Sequence, residues 1–416
     1  VIKSSALYIV IVIALVIALL CSSLIVAAYF YRAQYQRKFR YDLLKNNVNS
    51  GVNILLAGSD HAYSTKKMSL FGGEQDSVLL KNICWGMYDV GVARSFIHAD
   101  TLTEIFSIAS KVDSVKWAAL YLIDEDRPLS VSGKTEIKGN AFLPKAGVKE
   151  AYVDNMAYTG NKKLVQGIKK NSEKALPVLD ETRIGNIKSL FNWKAGRDST
   201  LNDDSLNKSF MADIKVISLG KKTLLIRQKL EGYILIRSDT IVTIANTAQL
   251  NNLVICARFI NVQSGFKGTC QLFATDSIHI EKNCQFEYPS AIGVLQFEST
   301  TLKAAPKIII DAGTIINGAV FSYQKSQSEV KPLISLGDHT TIIGQIYSQG
   351  ILSYKKQIVV NGSVFTNRFI YQSSNTMYEN YLINILINSD RLSRYYLTSD
   401  LLPAASAKRK VLQWLK

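Results

Sequence analysis

Glu281 and Asp311 are the two carboxylates whose spacing comes nearest to hydrolytic chemistry. Cleaving a glycosidic bond takes a pair of carboxyl groups flanking the substrate. In a coiled repeat they would have to share one outward column on neighbouring rungs. Glu281 and Asp311 do so once, while the equivalent positions read Ala245, Gln263, Gly337 and Asn361. Asp124, Glu125 and Asp126 form an acidic trio that could take calcium, although a solvated turn explains them as well. Asp203 and Asp204 lie in a polar stretch. The four histidines, His61, His98, His279 and His339, are not at zinc-ligand spacing. Neither a glycine-rich phosphate loop nor a nucleophile elbow occurs. The sequence thus predicts no catalytic residue, no cofactor, no metal site and no specific nucleic-acid motif.

Cys256, Cys270 and Cys284 recur every 14 residues, which looks like a motif. On the 18-residue period described next they land at different places, roughly 13 Å apart along a strand. A disulfide needs Cα atoms within about 7 Å. Free thiols are expected, with Cys256 and Cys284 buried.

Six stretches, starting at Ile241, Phe259, Ser277, Lys307, Leu333 and Gln357, fit one 18-residue template. Its second place reads Val242, Ile260, Ile278, Ile308, Ile334 and Ile358; its fourth reads Ile244, Val262, Ile280, Ile310, Leu336 and Val360. Residues two apart share a face of a strand. Eighteen residues divide into three such strands, and stacked coils bury the inward pairs as columns. This predicts a mainly β protein built on a three-sided parallel β-helix. Residues 128–144 read as an early coil, with Leu129, Val131, Ile137 and Ala141 inward and 145–229 as a polar excursion before the stack resumes. Gly139, Gly318 and Gly344 share one template place and suit a tight corner. Residues 295–306, 325–332 and 351–356 read as insertions at one corner. Tyr378, Leu382, Ile385, Leu386, Leu392 and Tyr395 suggest a capping helix over 376–397, followed by a basic tail with Trp414.

The elements that would hold this body lie at the other end. Residues 6–31 are almost wholly apolar, long enough to span a bilayer. Tyr8, Ile13, Leu20, Tyr29, Tyr31 and Arg32 mark the anchor and its interfacial ends. Tyr41, Leu44, Val48, Val52 and Leu55 then recur at helical spacing, so the span continues as one helix to about residue 56. The expected domains are 1–57 (anchor and helix extension), 58–127 (short strands), 128–231 (early coil and basic insertion), 232–374 (coils) and 375–416 (cap and tail).

The chain has 49 Lys and Arg against 33 Asp and Glu, a net charge of +16. Residues 46–416 hold 43 of the basic and 32 of the acidic residues, +11. Clusters at Lys162, Lys163, Lys169, Lys170, Lys174, Lys221 and Lys222 suit either a solvated face or an acidic polymer. Arg32, Arg37, Lys38, Arg40 and Lys45 follow the span, against Lys3 before it, and by the positive-inside rule this favours a cytoplasmic body. A charged leader removed from before Val1 would reverse that bias.

A long apolar helix at the start, an amphipathic continuation and a β-rich body resemble type IV pilins and type II secretion pseudopilins, in particular their minor members. Ser5 stands where that family usually has Glu, and Lys3 where it has an apolar residue. The coil pattern resembles the bactofilins, membrane-associated β-helix scaffolds. Three readings follow. The first is a structural or assembly component of the envelope, single-pass in the inner membrane with an extracytoplasmic body, partnered by the bilayer and other envelope or pilus-type proteins. The second is a cytoplasmic, membrane-tethered scaffold. The third is a β-helix that binds or cleaves polysaccharide.

Overall fold

The computed structural model describes residues 4–58, 65–70, 76–193, 204–220, 223–297, 305–326, 330–373 and 376–415. Lys3, His61, Asp203, Lys221 and Lys222, singled out above, lie outside them. The chain forms two compact units, one of Val1–Asn82 with Gly91–Glu104 and one of Ile83–Val90 with Ile105–Lys416.

The first unit is built on a 54-residue helix, α1 (Ser4–Ala57). Among the described residues it is the one helix long and apolar enough to cross a membrane. Tyr8, Ile13, Leu20, Tyr29, Tyr31 and Arg32 are all exposed along it. Its last third changes character. Leu44, Val48 and Val52, spaced by four, are buried with Asn47, which puts one stripe of the helix inward. Gly51 sits in that stripe, where an added Cβ would lie 2.8 Å from Leu80 Cδ2 and 3.0 Å from Val78 Cγ1. The glycine therefore lets the helix press onto the strands. Tyr41 stays exposed and Leu55 half-buried, so the packed stripe is narrower than the spacing predicts. Thr65–Met68 pairs antiparallel with 78–81 in this unit, and Arg40 pairs with Asp100 at 2.8 Å on its surface.

The second unit is a three-sided parallel β stack. One side carries Val242, Ile260, Ile278, Ile308, Ile334, Leu352 and Phe369 in a single column. A second carries Ile316, Ile342, Val360, Ile387, Ile137 and Val165. The third runs Ile255, Leu272, Ile292, Val320, Ile346, Val364, Leu120 and Ala141. Every one of these side chains is buried in one continuous core. Each full burial of such a residue is worth about 1.5–3 kcal/mol.

The structure changes the predicted stack in four places. Ile358 and Val360 are inward and buried, but they stand on the second side, Val360 beside Ile342. The column of Ile334 and Leu336 instead continues into Leu352 and Tyr354. Residues 351–354 are therefore strand, not insertion. The other two excursions do leave one corner: Gln296 pairs with Gln324 before them, and Lys307 with Leu333 after them.

The early coil does not precede the stack. It lies next to last at the far end, Ile137 stacking on Ile387 and Leu120 on Val364. One more coil, 148–171, lies outside it, through Val148–Glu150, Val165–Gln166 and Lys169–Asn171. The segment that follows holds a second helix, α2 (Glu181–Phe191), N-capped by the Asp180 side chain on Arg183 N–H. The stack then begins at its opposite end with Ser205–Lys208.

The predicted capping helix is absent. Met377–Glu379 turns back antiparallel on 370–372, and Tyr381–Ile383 and Leu386–Asn388 are parallel strands of a coil, followed by one 3-10 turn, Ser389–Arg391. Asn380 and Asn384 take positive φ (56° and 52°) and break any helix there. The basic tail is a strand too: Ala405–Leu415 pairs antiparallel with 105–112, and Trp414 packs edge-on against Phe106.

Candidate functional site

The residues with chemical potential are mostly committed to holding corners. Glu281 accepts from Ser264 N–H at 3.0 Å and from Asn261 Nδ2 at 3.2 Å. Asp311 Oδ2 meets His279 Nε2 at 3.1 Å. Asp311 N–H donates to Ile280 carbonyl at 2.8 Å, so Glu281 and Asp311 do sit on adjacent coils at one corner. Their carboxylates nevertheless engage separate local partners. Asp124 accepts from Asp126 N–H at 3.0 Å, a side chain closing its own turn. Glu125 instead pairs with Arg368 at 2.9 Å. The trio borders a cleft of about 470 Å³ with Lys174, Tyr323 and Asn367.

Cys256, Cys270 and Cys284 are buried free thiols. Burial pushes Cys270 up to about 12 and raises Cys256 further still. Among the described residues no group of three His, Cys, Asp or Glu is placed to hold a metal ion.

A buried charge cluster is what sequence reasoning missed. Arg183, on α2, reaches Asp89 at 2.7 Å and Asp400 at 2.8 Å through Nε and 2.5 Å through Nη2. Arg409, on the C-terminal strand, takes the other oxygen of Asp89. Burial alone would lower the Arg183 pKa, but Asp89 and Asp400 more than offset it and hold the guanidinium well above its ordinary value. Residues 94 apart in sequence carry no periodic signal; Asp89 inside an apolar strand was the available hint.

The same 83–90 segment is locked onto the coils. Gln271 accepts from Met87 N–H at 2.7 Å and donates to Trp85 carbonyl at 2.9 Å. It lies so close to Gly86 (φ 65°) that any Cβ there would stand 2.2 Å from its amide oxygen. Phe210 and Tyr233 stack on each other, and Trp85 meets both edge-on.

A second cleft of about 640 Å³ is lined by Lys111, Arg394, Lys410, Trp117, Tyr395 and Tyr396. Lys162, Lys163, Lys169 and Lys170 are exposed on the outermost coil, and Lys174 lies just beyond it.

No family model matches this chain, and no curated protein matches it in sequence. Among solved structures it is similar to the crystal structure of the competence-associated pilin ComZ from Thermus thermophilus, at 10% identity over 85% of this chain and 86% of that one. The TM-score is 0.28, below the level at which two chains share a fold.

Proposed function

We propose that this chain is a membrane-anchored structural or assembly component of the cell envelope. The observation that carries the reading is the division of labour along α1. Its first half presents apolar side chains on every face, which water disfavours and a bilayer accepts. Its last third buries Leu44, Val48 and Val52 against its own unit. The helix is then both anchor and core element, and the coil stack is a stiff platform for protein contacts. The finer reading is a minor pilin-like subunit, single-pass in the inner membrane with an extracytoplasmic body. In that setting α1 would pack with the helices of neighbouring subunits.

The second reading has its own observation. Arg32, Arg37, Lys38, Arg40 and Lys45 follow the apolar run, and the charge rule then favours a cytoplasmic body, as in a tethered scaffold. Alkaline phosphatase and green fluorescent protein fused separately after Lys416 decide between them. Phosphatase activity without fluorescence supports the extracytoplasmic assembly component. Fluorescence without phosphatase activity overturns it in favour of the scaffold.

A further inference from the structure

The stack ends in a lysine-rich coil that, among the described residues, has no strand on its outer side. Among the described residues its strand Lys169–Asn171 pairs on one side only, Lys169 with Ala141, Lys170 with Phe142 and Asn171 with Leu143. Ala141 N–H donates to Ile168 carbonyl, and Ser172 N–H donates to Leu143 carbonyl. In a parallel ladder the bonding groups alternate. Residues 168, 170 and 172 therefore bond inward to the stack, and the N–H and carbonyl groups of Lys169 and Asn171 point to the open edge. Val148–Glu150 and Val165–Gln166, on the other two sides, likewise pair only with the coil beneath among the described residues.

Charge selects what such an edge can accept. Residues 145–174 hold seven lysines against Glu150, Asp154 and Glu173. Lys149, Lys162, Lys163 and Lys169 are exposed and make no ion pair within the described residues. Lys169 continues the inward column above Ala141, so an amine, not an aliphatic chain, is what the next rung would meet. Charges at that place stop indiscriminate strand pairing. They also disfavour a second copy stacked end to end. The coil at the opposite end, 204–225, carries four lysines and two aspartates, so two copies would bring like charges together.

We propose that the outermost coil is a docking edge for an extended, acidic segment of a partner protein. The segment adds a parallel strand alongside 169–171, taking its main-chain bonds from Lys169 and Asn171. Its carboxylates, at alternate positions, pair with Lys169 and the lysines around it. The ladder supplies affinity and the lysines supply selectivity.

The test uses the full chain in detergent and two short fluorescent peptides, one alternating valine with glutamate and one alternating valine with lysine. Anisotropy should show the acidic peptide binding at least about tenfold more tightly than the basic one, with affinity falling as salt rises. Asn171→Pro removes an outward N–H and no ladder bond. It should cost the acidic peptide at least about tenfold in affinity while the melting temperature stays unchanged. Lys169→Glu should shift preference toward the basic peptide. Equal binding of both peptides, no binding of either, or full affinity in Asn171→Pro overturns the proposal. So does end-to-end filament formation by the unmodified chain.

Discussion

Asp89 and Arg183 meet at 2.7 Å with their side chains 1% and 2% exposed, one on the strand Tyr88–Ile97 and the other on α2. Arg409 and Asp400 complete two arginines and two aspartates in one network, buried except at Asp400, whose side chain is 23% exposed. Breaking such a network leaves an uncompensated charge, at about 3–5 kcal/mol. Asp89→Asn takes one carboxylate from both guanidiniums at once, leaving Arg183 its pair with Asp400, whereas Arg183→Met leaves Asp89 its bond to Arg409. Thermal unfolding of the detergent-solubilised chain should therefore show a larger loss for Asp89→Asn than for Arg183→Met. Equal small losses would mean that water reaches the cluster.

The buried thiols predict both reactivity and an alkaline limit. Cys270 and Cys284 sit inside the coil core and Cys256 is buried on the outer face of its strand, next to the inward Ile255; at all three burial disfavours the thiolate. At neutral pH an alkylating reagent should leave these three unmodified in the folded chain and modify them in urea. Burial lifts the Cys270 thiol from its ordinary 9.0 to about 12. Above 9.0 the unfolded chain has lost this proton and the folded chain still holds it. The contribution of Cys270 to stability is thus full below 9.0 and declines as pH rises toward about 12. Cys270→Ala should flatten the alkaline limb of a stability–pH curve; an unchanged slope would show that other groups set it.

Two glycines should respond to alanine with opposite signs. Gly344 has φ 144°, and a Cβ there would stand 1.9 Å from the carbonyl oxygen of Gly318 on the neighbouring coil. Neither backbone can yield without opening the ladder, so Gly344→Ala should cost about 3 kcal/mol or more. Gly185 lies inside α2 with nothing within 4 Å of its would-be Cβ. Gly185→Ala should stabilise by about 0.5–1 kcal/mol through helix propensity. Chemical denaturation midpoints of the two variants check the pair. Similar shifts would mean that the corner relaxes.

The coil period was legible because stacking repeats the same inward columns, and Ile260, Ile278, Ile308 and Ile334 do form one. The next rung was not, because its inward place holds Tyr354. That tyrosine is tolerated inside because its hydroxyl donates to Tyr381 carbonyl and accepts from Ile383 N–H. The aliphatic run at 358–360 imitated the missing pair one side too late. At 376–397 the coil is cut short by left-handed corners at Asn380 and Asn384. Corners four residues apart space the apolar residues as a helix would. The far-end position of the 128–144 coil left no mark at all, since an inward pair fits equally well at either end of a stack. The Asp89–Arg183 cluster left only the hint of an acid inside an apolar strand: burial created it, and no local spacing encodes it.

The last prediction concerns whether α1 is an anchor alone or also a contact between subunits. Leu19, Leu20, Cys21, Ser22, Ser23 and Leu24 cover more than a full helical turn of the exposed apolar half. Ser22 and Ser23 turn their hydroxyls back onto the carbonyls of Ala18 and Leu20, so neither leaves a polar group bare to lipid. Small residues at such places let two helices approach closely. Single cysteines placed in turn at these six positions, in a chain whose other cysteines are replaced by serine or alanine, should form disulfide dimers in native membranes on one face and not on the opposite one. A uniform absence of dimers would make α1 a solitary anchor, and the pilin-like reading would lose the contact on which it depends.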